Sequence, residues 1–322
     1  MKLKSIFKRS AFQIFVALLL ISSIGWAQKP IERKGGSYVK TSLNAYSFNT
    51  MLLEGMKDGS KGISLFSLLD FCAENNFDAI DITGYFFPGY PKVPSDEYIN
   101  NVKRRCFELG LDISGTGVKN DFATPDAAKR AADVKLVKEW IDVAAKLGAP
   151  VIRVFAGAIP AGYENRRDEV AAYMAESLKE CAAYGKLRGV LVGVQNHGDF
   201  LQTAEQCIDM VKRVNSDWFG LIVDSGKFLT DDPYIDIERT MPYAVNFQLK
   251  ESAFGPQSKV KTDLPRLMKI IHKSGFRGYL PIETLEIKGE PRPVPDIPYN
   301  PRVLVPAFLK DVNAAIKAEY KN

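Results

Sequence analysis

The feature that most constrains this chain is an alternation. Short runs rich in β-branched and aromatic residues are each followed by a longer stretch of helical period, and the pair recurs eight times along residues 38–322. The strand-like runs are 39–46, 79–83, 111–117, 151–155, 190–196, 219–223, 244–250 and 278–283. The helical stretches are 63–75, 96–109, 126–147, 165–188, 200–214, a short one at 236–241, then 263–274 and 301–319. In the stretch 96–109, Tyr98, Val102, Cys106 and Leu109 fall on one stripe while Lys103, Arg104 and Glu108 face away, and Gly110 marks the end. The run Val151-Ile152-Arg153-Val154-Phe155 is apolar but for one residue, the pattern of a parallel strand covered on both faces.

Eight βα units in about 285 residues predict an α/β fold of one domain, a (β/α)8 TIM barrel. A doubly wound open sheet is the competing arrangement, and no G-x-G-x-x-G follows the first strand to support it. The barrel is expected over residues 38–322, preceded by a polar linker over 28–37. No internal repeat or second core is visible. Two loops rich in aromatic residues and proline, 84–95 and 286–299, leave strands 2 and 8 and are expected to wall a pocket.

Ahead of the barrel, Lys2, Lys4, Lys8 and Arg9 precede an apolar run from Ala11 to Ile21, and Gly25-Trp26-Ala27 puts small residues at the −3 and −1 positions of a cleavage site. That order predicts a cleaved Sec-type signal peptide over residues 1–27 and a periplasmic or secreted mature chain. The apolar run is about half of the roughly 20 residues a membrane span needs, so no integral membrane anchor is expected. The formal net charge of +5 is then misleading, because taking the leader's 4 basic residues from 43 leaves 39 against 38 acidic ones. A mature charge of +1 removes the electrostatic motive for binding nucleic acid. Cys72, Cys106, Cys181 and Cys207 sit beside apolar residues in helical stretches, so buried free thiols are expected, with a Cys72–Cys106 bridge as the alternative. Two histidines, His197 and His272, and no C-x-x-C make zinc fingers and multinuclear zinc sites improbable.

In a TIM barrel the functional side chains emerge where strands end. That rule selects Lys119 and Asp121 after strand 3, Arg153 on strand 4 and Gln195-Asn196-His197-Gly198-Asp199 after strand 5. It adds Asp224-Ser225-Gly226-Lys227 after strand 6, Gln248-Leu249-Lys250-Glu251 after strand 7, and Glu283-Thr284 after strand 8. Position alone adds Asp81. His272 lies within a helical stretch and reads as structural.

Over nearly the whole mature length the chain resembles the xylose-isomerase-like TIM barrels, the broad sugar phosphate isomerase/epimerase family. The resemblance rests on Val194-Gln195-Asn196-His197, Leu221-Ile222-Val223-Asp224-Ser225-Gly226, Asn246-Phe247-Gln248-Leu249-Lys250-Glu251 and Tyr279-Leu280-Pro281-Ile282-Glu283. It implies glutamate, aspartate, histidine and glutamate at these strand ends holding one divalent cation, Mn²⁺ or Mg²⁺, with the two glutamates moving protons on either side of a sugar carbon. Asp224 and Glu283 match that pattern. Gln195 stands in place of glutamate and Gln248 in place of histidine, so the implied metal set is Gln195, Asp224, Gln248 and Glu283, an all-oxygen site with less charge.

An amide takes no proton at neutral pH, so Gln195 disfavours a symmetric two-base epimerisation. A one-base isomerisation, or elimination or hydration next to a ketone, remains open, with a cation polarising the carbonyl. Glu283 is the expected base and His197 or Lys250 the proton donor, while Arg153, Lys119, Asn196 and Glu251 are expected to contact a sugar or keto-sugar. Each has a plainer reading: Asp224 as a cap on the following turn, Glu283 as a partner of Arg153 across the barrel mouth, Arg153 and Lys250 as interior counter-ions. The expected protein is an exported isomerase, epimerase or keto-sugar lyase. The alternative is a sugar-binding barrel that has lost its metal. An export route argues against a phosphorylated substrate, and an abasic-site endonuclease is excluded by the lack of histidines and of basic charge.

Overall fold

A computed structural model describes residues 28–251, 254, 260–285 and 299–320. The expected signal peptide, and all but the last residue of the loop 286–299, lie outside the described residues.

The elements run β1 (Tyr38–Asn44), α1 (Asn49–Lys57), α2 (Leu65–Glu74), β2 (Ala79–Thr83), α3 (Asp96–Glu108), β3 (Asp112–Gly117), α4 (Ala127–Leu147), β4 (Val151–Phe155) and α5 (Arg167–Arg188). They continue with β5 (Leu191–Gln195), α6 (Ala204–Val214), β6 (Phe219–Asp224), α7 (Pro233–Thr240), β7 (Ala244–Lys250), α8 (Leu264–Lys273), β8 (Arg277–Glu283) and α9 (Pro301–Glu319). All eight strands are parallel and in sequence order. β1 closes on β8 with Tyr38 beside Arg277 and Leu43 beside Ile282, which completes a (β/α)8 barrel. Helix starts other than those of α1 and α5 are capped by side chains, as where Ser95 accepts from the Tyr98 amide at 3.2 Å and Asp126 from Ala128 at 2.9 Å.

Helix α1 is absent from the periodicity expected of the sequence. It buries only Leu52, so it carries no apolar stripe to read. It sits close to the following loop because residue 55 is glycine, where a Cβ would lie 2.1 Å from the Ile63 carbonyl oxygen.

Strand side chains alternate between two faces. One face sends Leu43, Ile80, Ile82, Val194, Val223, Phe247, Leu249 and Ile282 outward into the apolar layer, where they join Leu68, Val102, Val137 and Trp140 of the helices. The alternate positions hold Ser42, Asn44, Asp81, Gln195, Asp224, Asn246, Gln248, Lys250 and Glu283, all buried. TIM-barrel interiors are dominated by bulky branched residues. This interior is polar, and its upper layer is the site described below.

Residues 28–37, expected as a linker, run across the opposite end of the barrel and are bonded to it. Gln28 donates to the Phe219 carbonyl at 2.7 Å, the Ile31 amide to the Pro242 carbonyl at 2.8 Å, and Arg33 to the Ala244 carbonyl at 2.7 Å. The strap thus satisfies carbonyls where β6 and β7 begin, groups that a composition-based reading of the segment does not consider. All four cysteines are free and buried. Among the described residues no helix is long and apolar enough to cross a membrane.

Candidate active site

Parallel pairing brings the ends of β6, β7 and β8 into line, with Asp224 beside Gln248 and Lys250 beside Glu283. Gln248, Lys250 and Glu283, with Gln195 from β5 and Asn44 from β1, form the floor of a cavity of about 540 Å³ at the carboxyl ends of the strands, and Asp224 lies fully buried just beneath it. The floor is one continuous chain of polar contacts. Asn44 Nδ2 donates to Gln248 Oε1 at 2.9 Å, and Gln248 Nε2 donates to Glu283 Oε2. Lys250 Nζ donates to Glu283 Oε1 at 2.6 Å and stands 3.6 Å from Asp224 Oδ2, which accepts from Gln195 Nε2 at 2.6 Å.

An ionised carboxylate only accepts, so the amide groups touching it must present their NH₂ ends. Burial opposes the charge on Lys250, but Asp224 and Glu283 outweigh it and its pKa is raised, so it stays an ammonium. Burial likewise pushes the Asp224 carboxyl up, and the Lys250 charge holds it down against that. The plainer reading of Asp224 is realised, because its Oδ1 accepts from the Gly226 amide at 2.9 Å and caps the turn, while Oδ2 faces the lysine. Glu283 pairs with Lys250 and not with Arg153. Lys250 is the interior counter-ion of two carboxylates.

The four residues expected to hold Mn²⁺ or Mg²⁺, namely Gln195, Asp224, Gln248 and Glu283, do converge. Their donor set does not fit a resident divalent cation. Hard cations need several oxygens aimed at one point. Here both carboxylates point at the Lys250 ammonium, both glutamines turn nitrogen toward the carboxylates, and Gln248 Oε1 is taken by Asn44. Among the described residues no group of three His, Cys, Asp or Glu side chains could hold a metal ion.

The walls combine aromatic rings and cations. Arg153 donates to the Val118 carbonyl at 2.9 Å and to the Tyr85 hydroxyl at 3.0 Å, and its guanidinium lies 4.0 Å from the Phe155 ring centroid. It can lie across β3 only because residue 117 is glycine, where a Cβ would come within 2.7 Å of Arg153 Nε. His197 packs on Phe155 at 4.7 Å between centroids, with Nδ1 3.9 Å from Asp199 Oδ2. Burial, then the charges of Lys227, Lys250 and Arg153, push its pKa down to about 3. The side chain is 41% exposed, so solvent softens that shift, yet burial and all three neighbouring cations favour a neutral imidazole at pH 7. In that state the ring is a hydrogen-bonding surface on the cavity wall. Burial raises Asp199 to about 6, against three backbone hydrogen bonds. Burial also raises Asp81 to about 6, opposed by Arg153.

Of the expected sugar contacts, Arg153 and Lys119 line the cavity, Lys119 at its exposed rim. Asn196 does not. Its Oδ1 accepts from the Asp224 amide at 2.8 Å and its Nδ2 donates to the Asp224 carbonyl at 3.0 Å, so both ends of the amide are spent positioning the neighbouring strand. Glu251 is buried beyond the cavity wall, its amide donating to the Glu283 carbonyl at 3.1 Å. His272 lies on the helical shell, paired with Glu319. Lining residues outside the expected set include Asn44, Tyr46 and Phe155. The aromatic loop 84–95 does supply wall, but through Tyr85 alone; Phe86 and Phe87 are buried in the apolar layer, and Tyr90 accepts from the Lys119 amide at 2.8 Å.

A family model described as xylose isomerase-like TIM barrel matches residues 69–300. Among solved structures, a D-tagatose 3-epimerase-like protein superposes with a TM-score of 0.66 at 19% identity, covering 87% of this chain and 99% of that one. D-psicose 3-epimerase from Clostridium cellulolyticum H10 gives 0.67 at 16% identity over 86% and 99%. A 3-keto-D-glucoside 4-epimerase from E. coli gives 0.64 at 13% identity over 86% and 99%. These likenesses are of fold. No curated protein matches the chain by sequence. The closed eight-stranded barrel and the match over most of its length agree, and the chain belongs to the xylose isomerase-like TIM barrel family.

Proposed function

We propose that this protein is an exported carbohydrate-active enzyme that moves a proton next to a sugar carbonyl, as an isomerase or epimerase or as a lyase acting on 3-keto-glycosides. The observation that carries the reading is a buried carboxylate, Glu283, held 2.6 Å from the Lys250 ammonium on the floor of a sugar-sized, aromatic-walled cavity. That the structural neighbours are described as sugar epimerases supports the substrate class.

Glu283 is the base. Its Oε1 faces the lysine, and the carboxylate takes the proton from the carbon beside the carbonyl. Lys250 donates a hydrogen bond to the carbonyl oxygen and stabilises the charge that develops there. Gln195, across the floor, carries no base, so one carboxylate moves the proton, to the neighbouring carbon in an isomerisation or off the sugar in an elimination. In a 3-keto-glycoside the enolate electrons then expel the glycosidic oxygen, which is protonated as it departs. Asp199, raised to about 6, is the wall group suited to that donation. His197 is neutral and serves as a hydrogen-bonding and stacking surface.

The test is incorporation of solvent deuterium, followed by mass spectrometry, into free ketoses and 3-keto-glycosides incubated with the mature protein. Label at the carbon next to the carbonyl is expected. A sugar that binds without any exchange favours the second reading, a non-catalytic sugar-binding barrel. That reading draws on the same ion pair, because both carboxylates of the floor are already neutralised in part by Lys250.

Export follows from the order of basic cluster, apolar run and Gly25-Trp26-Ala27. The mature chain is then expected to start at Gln28 in a periplasmic or secreted fraction. Recovery of intact Met1 in membrane-embedded protein contradicts it.

A further inference from the structure

We propose that the Lys250 ammonium permanently takes the place of a divalent cation in this barrel, so that the protein binds no metal at its floor and uses Lys250 as its fixed positive centre. Three observations carry this. Nζ lies within 3.6 Å of carboxylate oxygens from two different strands, 2.6 Å from Glu283 on β8 and 3.6 Å from Asp224 on β6. The lysine is buried, with its side chain 4% exposed, as are its partners at 0% and 6%, so the contact is built into the floor and is not a surface pairing. Gln195 and Gln248 complete the set as donors without adding charge, and Gln248 is fixed in that orientation by Asn44.

The charges are consistent with this assignment. Two carboxylates alone place −2 in a buried layer; one ammonium brings it to −1 and donates a hydrogen bond to Glu283 while pairing with Asp224 at 3.6 Å. A dication entering beside the ammonium meets like charge at short range, and it finds amide nitrogens where it needs oxygens. A lysine also differs from a metal in what it can do: it has three donors and one charge, and its position is set by the β7 backbone instead of by an equilibrium with metal in solution.

The catalytic half of this proposal rests on the function proposed above; the metal half does not, and the experiment separates them. Wild-type protein stripped with chelator is titrated with Mn²⁺ and with Mg²⁺ by calorimetry and followed by thermal melting. No stoichiometric binding and no shift in Tm are expected. One equivalent of Mn²⁺ bound with Kd below about 10 μM overturns the proposal. The triple variant Lys250→Ala, Gln195→Glu, Gln248→His removes the ammonium and restores charged or imidazole ligands. It is expected to bind one Mn²⁺ on the order of 10-fold or more tighter than wild type, with a metal-dependent rise in Tm. Equal affinity in the two proteins shows that Lys250 is not what excludes the cation. Lys250→Gln, milder and nearly isosteric, serves as a second variant for the same comparison, and the wild-type titration decides the matter if neither variant folds. Deuterium exchange by wild type in excess EDTA is expected to be unchanged; its abolition overturns the proposal. Failure to find exchange on any sugar counts against the function, while the titrations still decide whether Lys250 replaces the metal.

Discussion

Asn196 brackets the main chain of Asp224, its Oδ1 accepting from the Asp224 amide at 2.8 Å and its Nδ2 donating to the Asp224 carbonyl at 3.0 Å. A residue at the end of β5 thereby fixes the backbone that carries a floor carboxylate on β6. Replacing it leaves the buried Asp224 amide unsatisfied and its carbonyl with only the Lys227 amide at 3.4 Å. Asn196→Ala is expected to lose about 1–3 kcal/mol of stability in urea denaturation, the usual cost of orphaned buried groups. Because Asp224 then shifts relative to Lys250, kcat is expected to fall more than KM rises. A variant with wild-type stability assigns the amide no structural part.

His197 offers a pH test whose sign is fixed by its environment. Its folded pKa is depressed from 6.5 to about 3, first by burial and then by Lys227, Lys250 and Arg153. In that window the unfolded chain binds the proton and the folded one does not, so this contribution is intact above about pH 6.5 and is lost as pH falls toward 3. His197→Phe keeps the packing on Phe155 and removes the titration. Its stability is expected to decline less than that of wild type between neutral pH and pH 4, measured by denaturant midpoints. Parallel decline in the two proteins rules out a depressed imidazole.

Asp199 titrates in the opposite sense, since burial raises it from 3.8 to about 6 and the folded state holds the proton longer. Its contribution therefore favours the folded chain at low pH and is lost as pH rises through about 6. If it protonates the departing oxygen, kcat/KM on a 3-keto-glycoside falls above that pH. Asp199→Asn is expected to flatten this limb and to lower the plateau. A limb that persists in the variant belongs to another group.

The barrel was legible because strand and helix periods differ and each apolar run stops at a breaker; for β2, β4 and β7 the expected bounds 79–83, 151–155 and 244–250 are those observed. Helix α1 was not, since a single buried leucine makes no stripe. At the site, the rule that function gathers at strand ends found Gln195, Asp224, Gln248, Lys250 and Glu283 together. It did not say which cation faces Glu283. Arg153 and Lys250 both qualify by spacing, and only the pairing of β7 with β8 puts Lys250 beside the glutamate, while Arg153 is spent on Val118 and Tyr85. Asn44 was hidden for the same reason: inside a strand read as 39–46, nothing marks it as the partner of Gln248, 204 positions away.

Glu283→Gln separates catalysis from binding. The change keeps side-chain volume and one acceptor oxygen, and it removes the basic carboxylate together with one unit of negative charge. Lys250 then faces a single carboxylate, Asp224 at 3.6 Å, so the floor becomes neutral overall and the lysine remains buried with one ionic partner. An enzyme that uses Glu283 as its base is expected to lose on the order of 10² to 10⁴ in the rate of deuterium exchange, the usual worth of a general base. A sugar binder changes only its affinity, since the amide still offers an acceptor to a hydroxyl. Sugar affinity by calorimetry and exchange by mass spectrometry are therefore measured on the same preparation. Unchanged affinity with exchange lost assigns the proton transfer to Glu283. Equal exchange in variant and wild type, on a sugar that the wild type accepts, moves the base elsewhere, and Asp199, which lines the cavity and is raised to about 6, is the carboxyl group next to be replaced.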